Sequence, residues 1–138
     1  EWIISNKGIC TEAAYPYTGV DGRCKTGCQV AATISGYKDV TSGSEAALKT
    51  AVAINPVSVA IEADQSAFQF YSGGVFSAAC GTQLDHGVLA VGYGTSGSQN
   101  YWIVKNSWGT SWGESGYIRM VMGKNECGIS LAASYPVA

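Results

Sequence analysis

The chain has 138 residues, a net charge of −2 at pH 7, 46% hydrophobic residues and only 13% charged residues. This length favours one domain that buries about two thirds of its unfolded surface, and the composition excludes a disordered chain. The charges are scattered, without a basic run that could bind a row of phosphates, and no apolar run approaches the roughly 20 residues of a membrane-spanning helix. We therefore expect a globular protein with no nucleic-acid partner and no membrane partner.

Glycine and cysteine are both unusually frequent in this chain. Eighteen glycines without a collagen-like period indicate many tight turns. Five cysteines in so short a chain indicate an oxidising compartment and a disulfide framework, and the odd number leaves at least one thiol without an internal partner. The sequence begins at Glu1, with neither an initiator Met nor a signal-peptide pattern, which predicts a processed or truncated chain.

The first part of the chain is poor in regular patterns. Residues Glu1 to Asn6 predict the end of a helix, stopped by Lys7-Gly8, which supplies a positive φ. From Ile9 to Val30 there is no period of 2 or 3.6, which predicts a loop. A change of structural type falls near Tyr37, so we expect a loop-rich segment over 1–37, and a strand-rich, barrel-like segment over 38–138.

A helix is predicted at about residues 44 to 54. The segment Ser42-Gly43-Ser44-Glu45 matches a capping box, and Asn55-Pro56 provides a stop. Between them, apolar residues repeat at helical spacing: Ala47, Leu48, Ala51 and Val52.

The rest of the chain is rich in strand patterns. Alternation from Val57 to Ile61 predicts a strand with one buried face, and Phe68 to Tyr71 predicts a short helical turn. Three β-branched or aromatic runs follow, Gly87 to Tyr93, Asn100 to Ser107 and Gly116 to Met122. We expect an α+β fold whose antiparallel sheet closes into a small barrel.

The only histidine, His86, stands at the start of one predicted strand, and Asn106 stands near the end of the next. Taken singly, a lone His is more often an ordinary hydrogen-bonded side chain, and an Asn at a strand end is more often part of a turn. Taken together, the two can meet across the sheet, where the amide oxygen holds one imidazole nitrogen and the other serves a nucleophile. This arrangement suits a Cys–His–Asn site.

Several segments carry a family resemblance, and they cover essentially the whole chain. The most specific are Leu84 to Val88, Tyr101 to Gly109, Trp112-Gly113 and Gly116 to Arg119. Weaker similarity includes Tyr15-Pro16-Tyr17, Asn55 to Val59, Phe68 to Gly74 and Cys127 to Pro136. Together they resemble the papain-like cysteine proteases, of the papain and cathepsin L type. The resemblance implies a two-part papain-like fold and a thiol endopeptidase activity.

The resemblance also implies roles for individual residues. His86 would be the general base and acid, Asn106 its orienting partner, and Trp108 the indole that shields their hydrogen bond, with Trp112 and Asp85 in support. The pocket for the second substrate residue before the cut would be lined by small or apolar residues, namely Ala60, Leu84, Gly87 and Ala132. We therefore expect a preference for apolar substrate residues at that position.

The nucleophile of the family is not found in this sequence. It lies in a Cys-Gly-Ser-Cys-Trp type segment after a Gln, and no such segment is present. The family places its histidine about 130 residues or more after that cysteine, so we expect the nucleophile several tens of residues before Glu1. The chain would then be the C-terminal part of a protease domain, inactive alone because the thiolate and the oxyanion hole are both missing.

The resemblance accounts for the cysteines. It implies a disulfide between Cys80 and Cys127, and a partner for Cys24 in the missing half. Cys10 and Cys28 are less regular family features, and the simplest inference is that they pair with each other. A zinc site at Cys10, Cys24 and Cys28 would lack both a nearby fourth ligand and a CxxC knuckle.

Other functions remain open at this stage. The main alternative is a non-catalytic papain-like homologue that acts as a binding or structural protein, and a strand-rich inhibitor or lectin-like module is a third. The trio of His86, Asn106 and Trp108 favours the enzyme, because a structural domain does not need it. The resemblance implies a peptide or protein substrate, the missing N-terminal half and a propeptide or cystatin-like inhibitor as partners. It implies no cofactor or metal, and a secreted, lysosomal or vacuolar location.

Overall fold

The computed structural model describes residues 1–138, which form two compact units. The first unit comprises Glu1–Lys38 with Pro136–Ala138, and the second comprises Asp39–Tyr135. None of the helices has the length and apolar character that crossing a membrane requires.

The first unit contains little regular structure. Helix α1 (Trp2–Ser5) ends where Lys7 and Gly8 take positive φ values, and the predicted loop follows. Two short strands, β1 (Ile9–Cys10) and β2 (Val30–Ala32), pair antiparallel. Strand β3 (Gly36–Asp39) begins here, and beside it the Ser35 N–H donates to the Val137 carbonyl.

The second unit contains two helices and a 3₁₀ turn. These are α2 (Glu45–Val52), α3 (Ser66–Gln69) and the turn Glu126–Gly128. The predicted capping box at α2 is wrong: the N-cap is Ser44, whose hydroxyl accepts the Ala47 N–H at 3.1 Å. The Ser42 hydroxyl instead donates to the Leu131 carbonyl. Gly43 takes a positive φ and Ser44 is extended, so helical backbone begins only at Glu45 and Ser44 is the residue in the N-cap position.

Six further strands complete the described chain, β4 (Val57–Ile61), β5 (Val75–Phe76), β6 (His86–Ser96), β7 (Gln99–Lys105), β8 (Tyr117–Val121) and β9 (Ala133–Val137). Within the second unit they lie in the order β9-β4-β6-β7-β8-β5. All neighbours pair antiparallel except β5 and β8, which are parallel. The α+β class is confirmed, but closure into a barrel is wrong, because the order is linear and its last strand pairs with β8 alone.

The core of the second unit is one face of this sheet covered by α2 and α3. The alternation predicted for β4 is confirmed, with Val57, Val59 and Ile61 buried. Other fully buried side chains come from α2, α3, β7 and β8, among them Leu48, Phe68, Trp102, Val104, Ile118 and Met120. Burying such side chains contributes about 1.5–3 kcal/mol each, so this layer stabilises the elements that carry the site.

The Glu45 carboxylate links three elements of the second unit. It accepts the Trp102 indole N–H at 3.0 Å, and the backbone N–H groups of Gly123 and Asn125 at 2.8 and 3.2 Å. A buried indole needs a hydrogen-bond partner, and Glu45 supplies it from the first turn of α2. This contact holds α2 against the sheet.

Two disulfides are present, and both predicted pairs are confirmed, the Cys80–Cys127 pair implied by the family resemblance and the Cys10–Cys28 pair inferred as the simplest one. Cys10 is bonded to Cys28 and Cys80 to Cys127, while Cys24 is an exposed free thiol. The second bridge joins residues 47 positions apart, so the chain-entropy estimate gives it roughly 3 to 4 kcal/mol. It ties the loop before β6 to the 3₁₀ turn.

Stability is expected to depend on pH through Glu126, which is buried beside the Cys80–Cys127 bridge. Burial raises its pKa above the ordinary 4.5, Lys124 opposes this effect and Glu45 adds to it. The folded state therefore binds the proton more tightly than the unfolded state, and stability falls as pH rises from about 4.5 to the raised pKa. Glu126→Gln should increase the free energy of unfolding at pH 7, because the variant removes the buried charge, with little change at pH 4.

Thermal unfolding followed by circular dichroism at both pH values measures this difference. An equal gain in Tm at pH 4 and pH 7 would contradict the prediction, because the burial of a charge would then not be its cause.

Candidate active site

Two neighbouring strands bring His86 and Asn106 together. His86 is the first residue of β6, and Asn106 directly follows the last residue of β7. Antiparallel pairing runs up to Leu89 and Lys105, so the start of one strand lies beside the end of the other. The His86 Nε2 atom is 2.8 Å from the Asn106 Oδ1 atom.

The orientation of the Asn106 side chain follows from a second contact. The Ser107 backbone N–H, which can only donate, lies 2.7 Å from the same Asn106 Oδ1. This atom is therefore the amide oxygen, and His86 must carry its proton on Nε2 to complete the bond. The Nδ1 atom of His86 is then free to accept a proton, which is the state a general base needs.

The hydrogen bond between His86 and Asn106 is covered by an indole. The ring of Trp108 stacks on the imidazole, with ring centroids 5.0 Å apart and planes inclined by 23°. Asn106 is only 8% exposed, while Trp108 is 39% exposed and forms the outer layer. The Asn106 Nδ2 group is buried without a hydrogen-bond partner, so Oδ1 alone holds this amide in place.

Further rings hold Trp108 in position. Phe68 meets it edge-on at 5.7 Å between centroids, and meets Trp112 at 5.4 Å in a tilted arrangement. The Trp112 indole N–H donates to the Gln69 carbonyl at 2.9 Å, which joins this loop to the end of α3. Such aromatic pairs contribute about 0.5–1.5 kcal/mol beyond the area they bury.

A salt bridge fixes the far side of the Trp112 loop. The Arg119 guanidinium donates to both carboxylate oxygens of Glu114, at 2.6 and 2.8 Å, and holds the pKa of that carboxyl below its ordinary value. Glu114 also accepts the Gly74 N–H, and the Tyr71 hydroxyl donates to the Gly74 carbonyl. Burial raises the pKa of Tyr71, so this hydroxyl remains a donor.

Asp85 anchors the residue that precedes the histidine. Its carboxylate accepts the Ala63 N–H at 2.8 Å, and its own N–H donates to the Ile61 carbonyl at 3.0 Å. Both contacts join the start of β6 to the end of β4. Asp85 therefore contacts backbone, and no hydrogen bond connects it to the imidazole of His86.

The predicted pocket residues lie around the same end of the sheet. Ala60 is paired with Gly87 across β4 and β6, and the Ala60 N–H donates to the Ala132 carbonyl at 3.0 Å. Leu84 is 37% exposed, and its side chain lies against Gly128. Three of the four residues are thus joined by backbone pairing, and Leu84 comes from the loop beside them.

A groove runs from this end along the outer face of the sheet. It has a volume of about 450 Å³ and is lined by Gly87, Val88, Leu89, Ser58, Lys105, Asn106 and Ser107. The side of the sheet opposite the core is therefore open at the end where Asn106 lies.

One group of side chains has the atoms that could bind a metal ion, namely Cys80, Glu126 and Cys127. Both sulfur atoms belong to the disulfide, so they are not available as thiolate ligands. The same holds for Cys10 and Cys28, which leaves Cys24 alone at the site considered for zinc.

Two contributors were missed by the sequence interpretation. Phe68 was assigned only to a helical turn, although it supports Trp108 and Trp112. Glu62 is a buried carboxylate that contacts the loop before His86. The signal that could have revealed Glu62 is a charged residue directly after an alternating apolar strand.

The sequence matches the model of the "Papain family cysteine protease" over residues 1–137. The probable cysteine protease RD21B of Arabidopsis thaliana is 57% identical, with 99% of this chain aligned to 31% of that protein. The oryzain beta chain of Oryza sativa subsp. japonica is 54% identical, with 99% of this chain aligned to 30% of that protein. The chain thus spans about a third of the length of these relatives.

Solved structures show the same fold. The bromelain protease from Ananas comosus in complex with the E64 inhibitor superposes with a TM-score of 0.91 and 46% identity, over 99% of this chain and 66% of that one. The proform of the ragweed pollen allergen Amb a 11, a cysteine protease, gives a TM-score of 0.94 and 40% identity, over 99% and 39%. Digestive procathepsin L 3 of Tenebrio molitor gives 0.90 and 50%, over 96% and 45%.

The packing of Phe68 against Trp108 and Trp112 should contribute to the free energy of unfolding. Phe68→Ala removes a fully buried ring in contact with Phe76, Trp108 and Trp112, and should lower the free energy of unfolding by about 3–5 kcal/mol. Phe70→Ala is the matched control: this ring is 82% exposed, and its loss should cost less than about 0.5 kcal/mol. Urea unfolding of both variants tests this, and equal losses would contradict it.

Proposed function

The chain belongs to the papain family of cysteine proteases, and we propose that His86 and Asn106 are two of the three catalytic residues of a thiol endopeptidase. The observation that carries the proposal is the bond between His86 Nε2 and Asn106 Oδ1, whose direction is set by the Ser107 N–H. It leaves the imidazole in the tautomer that a cysteine nucleophile requires, with Nδ1 as proton acceptor.

The proposed reaction has two stages. His86 Nδ1 takes the proton of a cysteine thiol, and the Asn106 oxygen stabilises the resulting imidazolium. The thiolate attacks the peptide carbonyl carbon, and the tetrahedral intermediate expels the amine, which receives the proton from His86. In the second stage His86 takes a proton from water, whose oxygen attacks the thioester. The carboxylic acid leaves, and the proton returns to the sulfur.

The thiolate of this reaction is not among the five cysteines of the chain. Four are bonded in disulfides, and the fifth, Cys24, does not stand in a Cys-Gly-Ser-Cys-Trp type segment. We place the nucleophile and the oxyanion-hole Gln in a segment before Glu1 of a longer protein, in keeping with relatives about three times as long. The two structural segments proposed from the sequence, 1–37 and 38–138, would then be the end of the helical half and the histidine-bearing half.

The non-catalytic homologue remains the alternative function. It is disfavoured by the two contacts of the imidazole, the oriented amide and the stacked Trp108, together with the backbone anchor that Asp85 provides before the histidine. A binding surface would need none of these to be built together.

Partners and location follow from the same proposal. A peptide or protein would be the substrate, and the upstream half of the domain would cover the exposed groove. Similar proteins have been solved as proforms and in complex with the E64 inhibitor, which supports a propeptide and an inhibitor as partners. The two disulfides fit a secreted, vacuolar or lysosomal location.

Activity is expected only when the upstream segment is present. The full-length protein should hydrolyse peptides in a thiol-dependent way and be blocked by epoxide alkylators, whereas the 138-residue chain should be inactive. In the full-length protein, His86→Ala should lower kcat/KM by at least about 10³-fold, and Asn106→Ala by about 10- to 100-fold. A fluorogenic peptide assay measures both.

Asn100→Ala is the control for Asn106→Ala, because Asn100 is also on β7 but bonds to Thr95 in the hairpin. The kcat/KM of the Asn100→Ala variant should equal that of the wild-type protein. Peptide hydrolysis by the purified 138-residue chain, or a full-length protein that binds peptides without turnover, would contradict the proposed function.

Substrate preference is expected at the second residue before the cut. Ala60, Leu84, Gly87 and Ala132 offer no carboxylate, so a buried Arg side chain would lose its hydration without gaining a partner. Dipeptide substrates with Leu, Val or Phe should show a kcat/KM on the order of tenfold or more above the Arg substrate. Faster turnover of the Arg substrate would show that the pocket has an acidic wall.

A further inference from the structure

Glu62 is a buried carboxylate at the end of β4. It is 6% exposed and has no cationic partner, because the only salt bridge of the structure joins Arg119 and Glu114. Its oxygens accept the backbone N–H groups of Gly81 and Gln83 at 3.1 and 2.5 Å. Two backbone N–H groups of one loop thus replace the water that a carboxylate normally binds.

The loop that receives these bonds has no regular structure of its own. Its start is tied by the Cys80–Cys127 disulfide, and its end by Asp85, which pairs with backbone groups of Ile61 and Ala63. Between these points, Gly81 and Gln83 each donate a backbone hydrogen bond to Glu62. The loop would otherwise have free N–H groups and several accessible conformations.

The Glu62 carboxylate lies very close to the backbone of Gly81. A Cβ atom at Gly81 would collide with the Glu62 carboxylate and push it aside, so the glycine lets the carboxylate lie against the loop backbone. Gln65 adds a side-chain bond to the same carboxylate at 3.2 Å. The position of the Glu62 carboxylate and the backbone conformation of the loop at Gly81 therefore depend on each other.

Leu84 stands directly between the two anchored points, Gln83 and Asp85. We propose that Glu62 is a positioning residue: by holding Gly81 and Gln83, it places Leu84 at the substrate pocket and so sets selectivity for the second residue before the cut. This inference rests on the proposed peptidase function. Glu62 acts through the loop and does not contact the histidine.

A carboxylate is needed at position 62 because both of its oxygens accept a hydrogen bond from a backbone N–H group. In Glu62→Gln, one oxygen remains, but the NH₂ group faces a backbone N–H, and two donors cannot bond to each other. Loss of a charge-assisted hydrogen bond should displace the loop and raise KM for a substrate with Leu at the second position by about tenfold. The kcat value and the KM of the matching Ala substrate should each change less than about threefold, because the histidine keeps its own anchors and Ala does not reach Leu84.

The test uses the full-length protein with matched Leu and Ala substrates. Glu45→Gln is the control, because that carboxylate also accepts two backbone N–H groups, at a turn that carries no site residue. The expected result is a Leu-to-Ala selectivity that falls in Glu62→Gln and stays at the wild-type value in Glu45→Gln. Unchanged selectivity in Glu62→Gln, or an equal change in both variants, overturns the inference.

Two further measurements decide the matter if Glu62→Gln does not fold. Glu62→Asp keeps the charge but is shorter, and should lose part of the selectivity; a folded Glu62→Asp protein with wild-type selectivity overturns the inference. Hydrogen exchange of the wild type should show slow amides at Gly81 and Gln83, and exchange as fast as at the exposed Gly97 turn also overturns it. A wild-type protein without thiol-dependent activity overturns the proposed function and this inference together. If the wild-type protein is active, the Glu62 variants test the inference alone.

Discussion

The register of β6 against β7 is the constraint on which the site depends. His86 and Asn106 are 20 positions apart in the chain, and they meet because β6 begins at the end of the sheet where β7 ends. A bulge between Ala90 and Gly92 shifts the pairing by one residue on the way from the hairpin to this end. Because side chains alternate between the two faces of a sheet, the shift decides which β7 residue comes beside His86.

The surroundings of the imidazole restrict it from several directions. The amide of Asn106 fixes its plane and proton, Trp108 covers a face, and Asp85 holds the backbone that enters β6. Asn106 and Trp108 come from the segment after β7, and Asp85 comes from the loop before β6, so two segments of the chain share this support. The free side of the ring is then the one available to a reacting group, which is the condition for efficient proton transfer.

Patterns local in the chain were predictable, and contacts between distant segments were not. The alternation of β4 and the apolar spacing of α2 reflect burial of a single face, so composition within a short window was sufficient. The choice between Ser42 and Ser44 as N-cap could not be made from residue type, because serine is a good cap at either position. In the structure Gly43 takes a positive φ, and the Ser42 hydroxyl bonds to the carbonyl of the distant residue Leu131 instead of capping the helix.

The site residues also fall into a group that the sequence could predict and a group that it could not. His86, Asn106 and Trp108 stand in specific motifs, so a resemblance could indicate them and suggest their roles. Phe68 and Glu62 act by packing and by bonding to backbone of other segments, and residue type alone does not report such contacts. The expected barrel failed for a related reason: strand patterns indicate how many strands form, but closure depends on twist and on partners at both edges.

The linear sheet has a consequence for how this protein avoids self-association. A sheet that does not close presents free N–H and C=O groups along its last strand, and a long, flat edge would template the addition of another chain. Here the strand beyond β8 is β5, which has only two residues and runs parallel to its neighbour. An approaching extended segment would find too short a ladder to bind, so the sheet can remain open on this side without inviting edge-to-edge polymerisation.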